Sequence, residues 1–294
     1  MANETKYECL LFDMDDTLYP LSSGLNLACR RKIQEFMLHE LKIDESEVPR
    51  MCLELYREHG TTMAGLKVLG YEFNDDQFHA YVHGRLPYET LKPDPVLRNL
   101  LLSMPQRKII FTNADQDHAA QVLTRLGLED CFEGVICFET LNPPQEQSSV
   151  AETAEEESVP RRILGKPAVE AFETLNPPQE QSTIVETAEE SVPRRILCKP
   201  AVEAFEAAIR IANVDPSKTI FFDDSARNIA SGKVAGLHTV IVGSSELVPG
   251  ADHALSSIHN IKEAIPEIWE GQEGGEQVEQ QIIQSTAVQT AVLA

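Results

Sequence analysis

Apolar and polar positions follow one pattern near the start of the chain and another from about residue 20. Residues 7–12 (YECLLF) form a short apolar run that stops at the polar stretch DMDDT, as expected of a buried strand entering a turn. Residues 21–42 then take helical spacing, with Leu25, Ile33, Phe36, Met37 and Leu41 on one broad stripe. More helix-like segments fill 44–83, broken at Gly60, Gly70 and Asn74-Asp75-Asp76, and none of them reads as a strand. Pro93 and Pro95 mark a boundary before the helix-like DPVLRNLLLSM.

From there strand and helix patterns alternate. RKIIFTN (107–113), GVICF (134–138), KTIFFDDS (218–225) and HTVIVG (238–243) read as strands, with helices over 117–128 and 201–212 between them. Such alternation predicts an α/β fold: a Rossmann-like parallel sheet covered by helices on both faces. The all-helical stretch 20–90 interrupts it and reads as an inserted helical domain, leaving 1–19 and 91–262 as the core.

Residues 138–171 are followed by a near-copy at 172–204, both beginning FETLNPPQEQS and ending KPAVEA. Two copies are too few for a solenoid, and the Pro, Gln, Glu and Ser content is that of a solvated, acidic loop. The stretch 263–294 reads as a biased tail, partly disordered.

Composition narrows the possible partners. The 294 residues carry a net charge of −22, with acid concentrated in the repeat and the tail. That balance disfavours nucleic acid and anionic membrane surfaces. No run approaches the roughly 18 apolar residues of a membrane span. Six scattered cysteines without a CxxC pair, after an N-terminus unlike a secretory signal, predict reduced thiols in a cytoplasmic protein.

The candidate chemistry lies at the strand ends. The first strand runs into Asp13-Met14-Asp15-Asp16-Thr17, so carboxylates at i and i+2 can both reach a site at the edge of a parallel sheet. The strand at 107 ends in Thr112-Asn113, and the strand at 218 ends in Asp223-Asp224-Ser225, with Asn228 one turn on. A Lys-Pro at 199–200 opens the helix leading into that last strand. Clustered carboxylates suit a hard cation such as Mg²⁺, whereas hydroxyl and ammonium groups suit a phosphoryl group.

Taken in order across roughly 7–243, these motifs resemble the haloacid dehalogenase-like superfamily of phosphatases. The resemblance implies Asp13 as nucleophile and Asp15 as general acid and base. It implies Thr112 as the holder of the phosphoryl group, and a lysine neutralising charge beside Asp13. Asp13, the main-chain carbonyl of Asp15, and Asp224 supported by Asp223 would form the Mg²⁺ site. An aspartate at position 15 favours phosphate transfer over dehalogenation within that superfamily.

The repeat offers two lysines, Lys166 and Lys199. The helix after Lys199 continues to Ala212, whereas the one after Lys166 meets Asn176-Pro177-Pro178, so Lys199 is favoured. Within the insertion, GTTMAGL (60–66) and HAYVHGRLPYETLKPDP (79–95) resemble the plant and fungal pyrimidine 5′-nucleotidase-like branch. That resemblance implies hydrolysis of UMP or CMP, a small phosphate ester. Thr61, Thr62, Arg85 and Asn113 are the expected substrate contacts. A phosphatase for another small phosphometabolite, and a catalytically silent interaction protein of the same fold, stay open. The histidines, His79 and His83 among them, read as unpaired on any helix face, and the cysteines as core residues.

Overall fold

A computed structural model describes residues 6–144 and 195–270. Most of the repeat, including Lys166, and the tail from 271 lie outside the described residues. Six parallel strands form one sheet in the order β3-β2-β1-β4-β5-β6. They are β1 (Cys9–Phe12), β2 (Arg107–Phe111), β3 (Gly134–Ile136), β4 (Thr219–Asp223), β5 (His238–Val242) and β6 (His253–Leu255). The fold is thus the expected Rossmann-like α/β sheet with helices around it. Its first strand is central, flanked in register by β2 (Leu11 opposite Ile109) and β4 (Leu11 opposite Phe221).

The near-continuous apolar strands are explained by burial on both faces. Leu10 and Phe12 of β1, Ile110, Ile220, Phe222 and Val240 face one cluster. It is filled by α5 (Pro95–Leu102), α6 (Gln116–Leu126) and the C-terminal turns around Ile261–Ile268. Cys9, Leu11, Ile109, Phe111, Phe221 and Ile241 face the other. There α8 (Val202–Ala212) packs through Ala204, Phe205 and Ala208, and α9 (Ala226–Val234) through Ile229. Side chains alternate across a strand, so a single run supplies both layers.

Between β1 and α5 lie α1 (Leu25–His39), α2 (Val48–His59), α3 (Thr62–Val68) and α4 (Asp75–Val82). Their breaks coincide with the predicted ones: Gly60 and Gly70 take positive φ, and the Asn74 side chain accepts from the Gln77 N–H as a helix cap. Phe36, Met63, Phe78 and Val82 cluster with Phe138 of the turn after β3 and with Ile196 and Cys198 of the segment before α8, so these helices pack against the loops at one end of the sheet.

Two elements differ from expectation. The strand at 134 stops at Ile136, because Cys137 starts the short helix α7 (Phe138–Leu141), its N–H donating to the Thr140 hydroxyl at 3.3 Å. β6 was not expected: HAL is too short to show a period. Among the described residues no helix is long and apolar enough to cross a membrane.

Phe205 meets Phe111 and Phe221 edge to face at 5.3 and 5.2 Å and is fully buried. Phe205→Ala is expected to cost about 3–5 kcal/mol in urea denaturation; a loss under 1 kcal/mol would mean that α8 is not packed on the sheet as described.

Candidate active site

The sheet order reverses at β1, and the side chains at the carboxyl ends of β1, β2 and β4 converge there. The Asp13 N–H still donates to the Phe222 carbonyl at 2.8 Å, so the ladder itself aims the carboxylate. Asp13 Oδ1 accepts from Lys199 Nζ at 2.7 Å, and its Oδ2 accepts from the Thr17 hydroxyl at 3.0 Å. Lys199 Nζ also donates to Asp223 Oδ2 at 2.9 Å and to the Phe111 carbonyl at 2.8 Å, which occupies all three ammonium protons. Lys199 is 2% exposed and Asp223 is fully buried. Burial alone would push Lys199 down, yet the charges and hydrogen bonds of Asp13 and Asp223 hold it well above the ordinary lysine value.

The lysine is held from behind. The Asn113 side chain donates to the Lys199 carbonyl at 2.9 Å and accepts from the Lys199 N–H at 2.8 Å. From the other side Gly60, at φ +87°, comes so close that a Cβ there would lie 2.4 Å from the Lys199 carbonyl oxygen. Asp223 is fixed by the Ser225 N–H at 2.8 Å and by Asn228 Nδ2 at 3.0 Å.

Burial pushes Asp13 up to about 7 against the pull of Lys199, with Asp223 and Asp15 adding to the rise. Asp224 reaches solvent at the rim, but crowding by the protein, then the charges of Asp13, Asp223 and Asp16, raise it to about 8. Asp13, Asp223 and Asp224 each offer an oxygen, all within 4.8 Å of one another. Asp16 stands beside them with one buried oxygen, Oδ1, unpaired, and burial lifts it to about 6. One lysine faces this surplus of carboxylate, and the all-oxygen donor set fits a hard divalent cation such as Mg²⁺. A cavity of about 490 Å³ opens between Asp16, Thr17, Asp224 and Ser257.

Asp15 turns away from the cluster. Its Oδ1 pairs with His118 Nε2 at 2.8 Å and accepts from the Tyr19 hydroxyl, while Tyr88 Oη meets His118 Nδ1 at 2.7 Å. Burial would raise Asp15, but the His118 charge and these hydrogen bonds hold it below the ordinary value. Burial likewise works against a charged His118, and Asp15 reverses this and raises it. The pair therefore keeps a proton close to Asp15.

Of the residues expected in the site, Asp13, Lys199, Asp223 and Asp224 come together, with Asp15 adjoining through the β1 turn. Thr112 is buried at the end of β2, its hydroxyl accepting from the Ala114 N–H at 3.1 Å. Asn113 grips the lysine backbone instead of presenting its amide to a ligand. The Thr62 hydroxyl is buried and donates to the Cys52 carbonyl at 3.0 Å, correcting its expected role as a substrate contact. Thr61 caps α3 by accepting from the Ala64 N–H at 3.1 Å. Arg85 is exposed and stacks its guanidinium on the Tyr81 ring at 4.0 Å. His118, Tyr19 and Thr17 were not assigned from sequence. Thr17 lies within the motif itself, whereas His118, more than a hundred positions from Asp15, left no spacing to read. A further correction concerns His79 and His83: they are four residues apart at the end of α4, and both approach Asp115.

No family model matches the chain. It is 30% identical over 145 residues to phosphate metabolism protein 8 of Saccharomyces cerevisiae, a match covering 46% of this chain and 45% of that protein. The chain thus spans about half the length of this curated relative. Among solved structures it is similar to YfnB of Bacillus subtilis, determined with magnesium bound, at 17% identity and a TM-score of 0.47 over 87% of this chain and 97% of that one. It is also similar to CbbY of Rhodobacter sphaeroides, determined with phosphate, at 16% identity and a TM-score of 0.48 over 87% and 96%.

Folded Asp13 and Asp224 hold protons that the unfolded chain releases near pH 4, so stability without metal falls as pH rises from about 4 to about 8. Thermal melts in EDTA are expected to drop between pH 5 and pH 8, with Mg²⁺ restoring most at pH 8. Asp224→Asn should flatten the slope; an unchanged slope in that variant would refute the crowding of these acids.

Proposed function

We propose that the protein is a Mg²⁺-dependent phosphomonoesterase of the haloacid dehalogenase-like type. The observation that carries this reading is the buried Lys199 bridging Asp13 and Asp223 at 2.7 and 2.9 Å, with Asp224 alongside. A lysine so held aims the Asp13 carboxylate and favours its anion against the opposing effect of burial, while the crowding of Asp13, Asp223 and Asp224 asks for a cation. The likeness to a yeast protein named for phosphate metabolism points the same way, over the part of the chain that it covers. Six free thiols are consistent with a cytoplasmic setting.

In this mechanism an Asp13 oxygen attacks phosphorus, the ester P–O bond breaks, and an aspartyl-phosphate forms. Mg²⁺ held by Asp13, the Asp15 carbonyl and Asp224, with Asp223 buttressing, would offset the repulsion between carboxylate and phosphate. The Lys199 charge neutralises the repulsion between Asp13 and the phosphoryl group, and the Thr112 hydroxyl steadies that group. Asp15 gives the departing oxygen its proton, drawn from the pair with His118. It then takes one from the water that attacks phosphorus, and free phosphate and the Asp13 carboxylate are regenerated. His118 and Tyr19 position Asp15 for both steps.

For the substrate we propose a pyrimidine nucleoside 5′-monophosphate, on the strength of the GTTMAGL and HAYVHGRLPYETLKPDP resemblance. The test is phosphate release from nucleoside monophosphates and sugar phosphates. Release confined to UMP and CMP, abolished by EDTA and by Asp13→Asn, is the expected result. Metal-dependent release from other esters would discard the nucleotide alone, and silence on every ester would discard the phosphatase reading.

His118→Asn removes the charge that holds the proton near Asp15. It is expected to lower kcat by about a hundredfold with a smaller change in KM, and to move the alkaline limb of the kcat profile to lower pH. A variant with an unshifted profile would remove His118 from the proton path.

A further inference from the structure

A second constellation lies one ring away from Asp15, and the mechanism above leaves it unused. His79, on the last turn of α4, is 94% buried by its 6% exposure, and neither ring nitrogen has a hydrogen-bond partner. Its Nδ1 lies 3.7 Å from Asp115 Oδ1. His83, one turn on, pairs with the same carboxylate oxygen through Nδ1, and the two imidazoles stack at 5.4 Å. Asp115 occupies the N-cap position of α6, yet its side chain makes no capping bond. The Gln116 N–H is taken instead by Glu139 at 3.0 Å, leaving Asp115 directed at the histidines. An aspartate in this position ordinarily accepts from its own helix, so its turning away is a cost that the histidines must offset.

We propose that His79, His83 and Asp115 bind a first-row transition-metal cation of the zinc type, separate from the all-carboxylate Mg²⁺ site. One ligand atom from each lies within 4.8 Å of the other two. Tetrahedral zinc with bonds of about 2.0–2.1 Å spaces its ligand atoms about 3.3 Å apart, so small rotations close the set. The donors also sort the metals: two imidazoles and one carboxylate suit zinc and its neighbours, whereas oxygen alone suits Mg²⁺. Burial holds His79 neutral, as a ligand must be, lowering it to about 4. A cavity of about 280 Å³ borders the three residues, leaving room for water or a small ligand in a fourth position.

The bound ion would tie α4, from the helical insertion, to the turn that follows β2. The His83 ring lies 4.5 Å from His118, so the clamp would also set the wall behind the Asp15–His118 pair. It gives His79 the partner that it otherwise lacks, where an unpaired buried polar group is destabilising.

The test uses the full chain, stripped with chelator and kept in excess Mg²⁺ to fill the acidic site. Calorimetry is expected to show one equivalent of Zn²⁺ bound by the wild type and by Asp13→Asn. His79→Ala and His83→Ala are each expected to weaken it at least about tenfold. To keep the test independent of whether His79→Ala folds, the wild type is also loaded with Cu²⁺, whose paramagnetic resonance should carry hyperfine splitting from two nitrogens. No Zn²⁺ binding, equal affinity in a folded His83→Ala, or a Co²⁺ spectrum with a thiolate charge-transfer band would each overturn the proposal.

Discussion

Everything around the site depends on keeping several carboxylates together in a place with little water. Asp13 and Asp223 are delivered by adjacent parallel strands whose register fixes their separation, and neither can retreat without breaking a ladder. Lys199 is the internal answer to that repulsion. Its ammonium is fully hydrogen-bonded and fully buried, so its attraction for each carboxylate is far stronger there than an exposed lysine's would be. A buried ion set of this kind is poor as a source of stability compared with an apolar plug. What it does achieve is to hold charged groups in fixed positions.

The rest of the architecture serves the lysine. Asn113 grips both its N–H and its carbonyl, Gly60 allows the helical insertion to approach that carbonyl, and Phe111 and Phe221 form the apolar floor below the ammonium. These residues come from β2, the insertion and β4, so the lysine is where three parts of the chain meet. The helices of the insertion are thereby coupled to the site through packing, and through Tyr88, His83 and His118 at its back.

Electrically the two sides of the site are opposites. On the metal-facing side Asp13 and Asp224 are raised by burial and mutual repulsion, which prepares them for a cation. On the α6 side Asp15 and Asp115 are each lowered by histidines, although burial works against both. Two acids separated by one residue, Asp13 and Asp15, thus experience contrary environments. In the proposed mechanism that division lets one group attack while its neighbour handles a proton.

The alternation of apolar runs and helical stripes determined the parallel sheet, because a strand buried on both faces leaves a run such as CLLF, TIFF or TVIV with few polar interruptions. The strand ends were legible for the same reason: polar residues at the close of such a run have nowhere to go but the sheet edge. Lys199 was preferred to Lys166 by the prolines that end the helix after Lys166 and by its nearness in sequence to the strand carrying Asp223, and Lys166 lies outside the described residues. Tertiary structure decided which polar groups were free and which were taken. Thr62 and Asn113 have the right chemistry for a ligand, yet their hydrogen bonds go to Cys52 and Lys199. His118 reaches Asp15, and His79 and His83 reach Asp115, because helices bring distant positions to one side of a sheet. Hydrophobic periodicity is local and survives in the sequence; hydrogen-bond partnership is a property of three-dimensional neighbours, and only folding assigns it.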